Sequence, residues 1–178
     1  MLFAKPKIRP YFSPTHCSCS FSNSSISVPF LNRSIPLLVS KTRTIPPATM
    51  SSSKTPVLTD KAPKPLPGIY SQAIIANGMV FCSGAVPMDP VTMKIIDGDV
   101  QAHTHQCIKN LTAVLEGAGT TIDKVVKVNV FLSNMDDFAA MNEIYCQYWG
   151  DVKPSRTCVA VKTLPLNVDV EIECIAVL

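Results

Sequence analysis

The chain has 178 residues, 47% of them hydrophobic and 16% charged, with a formal net charge of +3. The positive excess lies in residues 1–59, which carry seven Lys or Arg and no Asp or Glu; residues 60–178 hold nine basic and thirteen acidic residues, a net −4. A domain of that sign lacks the clustered cations that phosphate neutralisation needs, which argues against nucleic acid as a partner, and no stretch has the length and apolarity of a membrane span.

Residues 1 to about 67 read as unstructured. Eleven of the 15 prolines fall there, and twelve serines lie before position 60. Such a segment cannot bury enough apolar surface to offset its ordering entropy. A Ser-rich, basic, acid-free leader is the composition of an organelle transit peptide, so residues 1–59 are expected to be a leader and 60–178 the folded domain. Met50, just before Ser51, could start a second, cytosolic form. The apolar stretch from Val28 to Val39 is short and is broken by Pro29, Arg33 and Pro36. Cys17 and Cys19 are too close for a zinc pair. Cys82, Cys107, Cys146, Cys158 and Cys174 sit in apolar contexts and read as reduced, mostly buried thiols.

From Gly68 the texture changes. Tyr70 to Ala76 and Met79 to Ser83 read as two strands, and Asn77-Gly78 between them is a strong hairpin signal. Met88-Asp89-Pro90 is a turn, and Met93 to Ile96 a short strand. Asp99 can cap a helix running to about Ala118, with Ile108, Leu111, Leu115 and Ala118 on one stripe and Gly119 as its stop. Val125 to Ser133 alternates, with Val126, Val128, Val130 and Leu132 on one face. A second helix is predicted from Asp136 to Trp149, ended by Gly150. Arg156 to Thr163 and Val168 to Ala176 are the last strands. The latter places Asp169, Glu171, Glu173 and Ile175 on one face.

Two helices can cover only one face of such a sheet. The other face mixes polar and apolar groups, which suits a subunit interface, so an α+β oligomer with a single mixed sheet and two helices on one face is expected. No phosphate-binding glycine loop, Cys-x-x-Cys pair or serine-hydrolase elbow occurs. His103 and His105 lie roughly 200° apart on a helix and cannot ligate one metal, so an enzyme of this sequence is expected to use neither a metal nor a covalent nucleophile.

Arg156 is the sole arginine of residues 60–178. A guanidinium fork suits bidentate carboxylate recognition; the bland alternative is an ion pair at a strand end. Glu171 and Glu173 interrupt an apolar run, which alternation alone explains as a solvated face. If the last two strands form a hairpin, Arg156 faces about Ile175 and stands four rungs, ~13 Å, from Glu171. A site using both then needs a different strand order or two chains.

Pro67-Gly68-Ile69-Tyr70-Ser71-Gln72-Ala73, Phe81-Cys82-Ser83-Gly84, Asn142-Glu143-Ile144-Tyr145, Pro154-Ser155-Arg156-Thr157-Cys158 and Glu171-Ile172-Glu173-Cys174-Ile175-Ala176 together resemble the Rid family of reactive-intermediate deaminases. The resemblance is to its RidA type and most of all to fungal mitochondrial members, and covers 64–178. Ile69 stands where many members have Pro.

The resemblance implies a chorismate-mutase-like, homotrimeric fold with sites between subunits, no cofactor, and a mitochondrial location. It also implies hydrolysis of 2-imino acids, such as 2-iminobutanoate and 2-iminopropanoate, released by pyridoxal-phosphate-dependent dehydratases. By the same resemblance Arg156 would clamp the substrate carboxylate and Glu171 would activate water. Tyr70, Ser83, Gly84, Asn142 and Cys158 would shape the pocket, Cys158 as a wall rather than a nucleophile. Because imines already hydrolyse in water, so sparse a set of groups could suffice. Two other readings remain: a non-catalytic carboxylate-binding or chaperone module, and an RNA-cleaving translation inhibitor.

Overall fold

The computed structural model describes residues 53–178. The leader to position 52, with its predicted transit peptide and the second start at Met50, lies outside the described residues.

Six strands form one sheet in the order β1-β2-β3-β6-β4-β5. They are β1 Thr55–Val57, β2 Ala73–Ala76, β3 Met79–Cys82, β4 Val125–Leu132, β5 Ser155–Ala160 and β6 Val170–Val177. Two helices, α1 Val100–Gly117 and α2 Phe138–Tyr145, pack against each other, and α1 packs on β6. The expected α+β architecture is what the chain adopts.

The local signals hold where they are strongest. β2 and β3 pair antiparallel around Asn77 and Gly78, whose φ angles of 51° and 71° are the left-handed backbone of a two-residue hairpin turn. Asp99 caps α1 by accepting from the amides of Gln101 and Ala102 at 3.1 and 3.0 Å. Cys107, Ile108, Leu111 and Leu115 of that helix are buried in the core against Val170, Ile172, Cys174 and Ala176 of β6. Gly119, with φ 86°, ends the helix, and the Thr120 amide donates back to the Leu115 carbonyl at 3.0 Å.

Five expectations need correction. Residues 55–67 are not an unstructured tail: β1 pairs with β2, with Val57 opposite Ala73. Buried Gln72 then clamps the following segment, accepting from the Thr59 amide at 2.7 Å and donating to the carbonyls of Thr59 and Pro63 at 3.0 and 2.9 Å. Met93 to Ile96 is not a strand but a loop held by one isolated bridge between Met88 and Ile95, the Asp89 carboxylate capping the turn from Val91 and Thr92. A bulge between Val125 and Lys127 reverses the predicted face there, burying Val125 and leaving Val126 43% exposed. The second helix stops at Tyr145 rather than Trp149, because Trp149 turns into the core with a φ of 76°.

The fifth correction concerns strand order. β5 is not a hairpin partner of β6; it pairs parallel to β4, which also pairs antiparallel to β6. β4, α2 and β5 therefore form a β-α-β crossover, the connection that parallel neighbours require. It seats α2 over β5.

Candidate functional site

The structure brings the seven site residues expected from sequence together in two groups, not one. Tyr70, Ser83, Gly84 and Glu171 line a single cavity of about 550 Å³. Arg156, Asn142 and Cys158 meet under α2.

The cavity is mostly apolar, with Leu66, Val86, Met88, Met93, Val114 and Leu166 among its walls. The chain enters it twice through the hairpin's ends: Ser83 donates from its amide to the Gln72 carbonyl at 3.0 Å and from its hydroxyl to the Ser71 carbonyl at 2.7 Å. Those bonds hold the Ser83-Gly84 backbone beside Glu171. A Cβ at position 84 would overlap the Glu171 carboxyl, so only glycine lets that side chain lie there. Met93 and Leu166 both stand in left-handed backbone, φ 54° and 58°, at the cavity wall. Strain of that kind persists only where the surrounding structure fixes it. Burial raises the Glu171 pKa above the ordinary glutamate range, and neighbouring Glu173 raises it further. Glu173 is itself anchored by the Asn129 amide at 2.7 Å.

The second group is built on the crossover. Arg156 is opposite Val128 and Cys158 opposite Val130, so both share the face of β4 that carries its buried residues, under α2. Arg156 Nη1 donates to Asn142 Oδ1 at 2.5 Å. Its Cζ lies 4.6 Å from the Tyr145 ring centroid and 5.5 Å from that of Phe138. Among the described residues no carboxylate pairs with Arg156; the close contact of a carboxylate with a basic side chain is His103 Nδ1 with Asp169 Oδ1, at 2.7 Å. The strand-end ion pair, the bland alternative for Arg156, is therefore not formed. Burial raises the Cys158 thiol pKa, against a smaller lowering by Arg156, which keeps it a thiol.

Glu171 is opposite Phe131 and points away from the face that carries Arg156. A three-residue offset along β4 and two strand spacings across put their Cα atoms about 14 Å apart, with the sheet between the side chains. One chain cannot present both to one small substrate. Of the two arrangements that sequence left open, strand order does not unite them within one chain.

Phe138 and Tyr145, the ring neighbours of Arg156, were not among the site residues expected from sequence. Their spacing of four and three residues from Asn142 puts all three on one helix face, a signal present in the sequence but without meaning until β5 lies beneath it. His103 and His105 diverge as expected, His103 to Asp169 and to the Ile96 carbonyl at 3.0 Å, His105 to the Tyr148 hydroxyl.

With that geometry in view, the comparisons are consistent. The family model described as Endoribonuclease L-PSP matches residues 59–178. The mitochondrial protein mmf1 of Schizosaccharomyces pombe is 50% identical over 128 residues, covering 70% of this chain and 76% of the relative. The chloroplastic Reactive Intermediate Deaminase A of Arabidopsis thaliana is 39% identical over 158 residues, covering 89% and 78%. The crystal structure of E. coli TdcF with bound serine superposes with a TM-score of 0.66 at 36% identity, covering 70% of this chain and 98% of that one. The chain belongs to the Endoribonuclease L-PSP family, the Rid family of reactive-intermediate deaminases, and its sheet with two helices is that family's chorismate-mutase-like fold.

Proposed function

We propose that this chain hydrolyses 2-imino acids and their enamine tautomers to 2-oxo acids and ammonia, with 2-iminobutanoate and 2-iminopropanoate as substrates. The observation that carries this reading is the Arg156 fork, fixed by Asn142 but with no carboxylate partner among the described residues. A buried-side arginine left unpaired in this way is ready for a ligand carboxylate. The serine in TdcF is a ligand of that class, a small α-carboxylate.

In this reading Arg156 holds the carboxylate and Glu171 accepts a proton from the water that attacks the imine carbon. The raised pKa of Glu171 brings it closer to the range useful for a general base. Tyr70, Ser83 and Gly84 bound the site, Asn142 fixes the fork, and Cys158 forms a wall. The two groups lie on opposite faces of one sheet, so the site is completed across subunits, Arg156 from one and Glu171 from its neighbour, in a cyclic homotrimer. The far face supports this: Phe81, Val159 and Ile175 lie there beside polar groups, and no helix covers it among the described residues.

The test couples residues 53–178 to a threonine dehydratase and follows the appearance of 2-oxobutanoate. The reading requires faster release with wild type than with Arg156→Ala. No acceleration by a folded trimer would leave a carboxylate-binding module. The family's description favours one second reading, RNA cleavage; RNA cleavage retained by an Arg156→Ala variant that has lost imine hydrolysis would support it.

The residues before Thr55, short of the predicted boundary at 59 because β1 belongs to the fold, act in this reading as an organelle presequence. The mitochondrial relative points to mitochondrial import. The reach of the Arabidopsis match into the leader favours a plastid instead. A fluorescent fusion of residues 1–59 decides between them, and a cytosolic pool beginning at Met50 would appear as a second species in the full-length chain.

A further inference from the structure

Arg156 lies on an aromatic bed. Phe138, Asn142 and Tyr145 occupy positions i, i+4 and i+7 of α2, within about 60° of arc on one helix face. Asn142 takes one N–H of the fork, and the Tyr145 ring lies closest to its Cζ, at 4.6 Å. Tyr145 is 8% exposed, and its ring rests at 5.0 Å from that of fully buried Trp149. It is therefore fixed from behind. Its hydroxyl is buried with no hydrogen-bond partner among the described residues, so the ring face, not the oxygen, is what it offers Arg156. Phe138 adds a second ring at 5.5 Å. A guanidinium over two ring faces is attracted by their quadrupoles and loses rotamer freedom, while its remaining N–H donors make no hydrogen bond among the described residues.

We propose that Tyr145 is a positioning residue for the carboxylate clamp: its ring face holds the Arg156 fork in the orientation that receives a substrate carboxylate. This rests on the clamp role given to Arg156 above. It makes the aromatic ring, and not the phenol, the functional part of Tyr145.

The experiment compares wild type, Tyr145→Phe, Tyr145→Leu and Phe138→Leu as assembled proteins. The probe is 2-oxobutanoate, an unreactive carboxylate of the product class. Its Kd is measured by calorimetry, together with kcat and KM in the dehydratase-coupled assay and the side-chain Nε–Hε NMR signal of Arg156. Tyr145→Phe should keep Kd and KM within about twofold, since the ring remains. Tyr145→Leu should raise both by about 3- to 30-fold, the range of a partly desolvated cation–ring contact, with a smaller change in kcat. The Arg156 signal should lose its ring-current shift in the Leu variant and keep it in the Phe variant. Where Tyr145→Leu does not assemble, Phe138→Leu, at a half-exposed position, should weaken Kd by about two- to fivefold and move the same signal. Equal Kd for Tyr145→Leu and wild type, or an equal loss in Tyr145→Phe, overturns the proposal. Wild type that fails both to bind 2-oxobutanoate and to turn over imine removes the clamp reading itself.

Discussion

Arg156 and Glu171 belong to strands that flank β4 on either side, and their side chains leave the sheet in opposite directions. The site proposed between subunits of a trimer has a consequence for mixtures. Arg156→Ala and Glu171→Gln are each expected to be inactive alone. In trimers reassembled at random from equal amounts of both, a site works when an intact Arg156 meets an intact Glu171 on its neighbour, which is about a quarter of sites in a cyclic assembly. The measurement is imine turnover after denaturation and co-refolding. Activity no higher than that of either parent would place the two residues in separate sites.

Arg156→Lys should be nearly as damaging as Arg156→Ala. Lysine keeps the charge but loses the planar fork, and with it the bond to Asn142 and the stack on Tyr145. Loss of a charge-assisted contact corresponds to roughly 10- to 150-fold in kcat/KM. Sedimentation should show an unchanged assembly. A lysine variant within twofold of wild type would mean that the charge alone suffices.

Gly84→Ala is expected to act through Glu171. The backbone at 84 is not left-handed, and the atoms nearest the added methyl all belong to the Glu171 side chain, its carboxyl first, which the methyl pushes aside. Overpacking of this kind costs about 1–3 kcal/mol, and displacement of a reacting group by an ångström is worth on the order of 100-fold in rate. Kinetics and thermal melts on one preparation separate the two effects. A fully active Gly84→Ala would show that the carboxyl position is not critical.

The pH dependence follows from Glu171. Burial, then Glu173, raises its pKa, so the folded chain holds that proton to higher pH than the unfolded chain does. Stability contributed by this group therefore falls as pH rises from the ordinary glutamate value through the raised one. Glu171→Gln should accordingly melt higher than wild type at neutral pH, with the difference vanishing below pH of about 4. As a base, Glu171 must be ionised, so the acid limb of kcat/KM should lie above the ordinary value of about 4.3. A limb at or below that value, or a Gln variant less stable at neutral pH, contradicts this account.

Gln72→Ala should loosen the segment after β1. It removes bonds to Thr59 and Pro63 and leaves their backbone groups without that partner, a loss of about 1–3 kcal/mol. Faster tryptic cleavage after Lys61 is the local readout; an unchanged digestion pattern would mean that β1 alone holds the segment.

What could be read in the sequence was local. The Asn77-Gly78 turn, the Asp99 cap and the Ile108, Leu111, Leu115 stripe each depend on residues a few positions apart, and all are present. The misses have non-local causes. β1 hides in proline-rich sequence because Pro56 is tolerated on an edge strand, where a missing N–H faces outward. The bulge at Val125 depends on register against β6. The placement of β5 beside β4 depends on the whole crossover, and with it the meeting of Arg156 with Phe138, Asn142 and Tyr145. The candidate site residues could therefore be named one by one, through the resemblance, while their placement on two faces of the sheet could not.

β1 is the outermost strand on one side of the sheet, and it shields the main chain of β2. A protease that trimmed the leader past Val57 would strip it away. β2, with Ala73, Ile74, Ile75 and Ala76, would then present a bare apolar row of donors and acceptors to any extended chain nearby. The three residues of β1 thus bound any trimming of the N-terminus: a cut before Thr55 keeps β2 covered, and one a few residues later leaves its edge open to another extended chain.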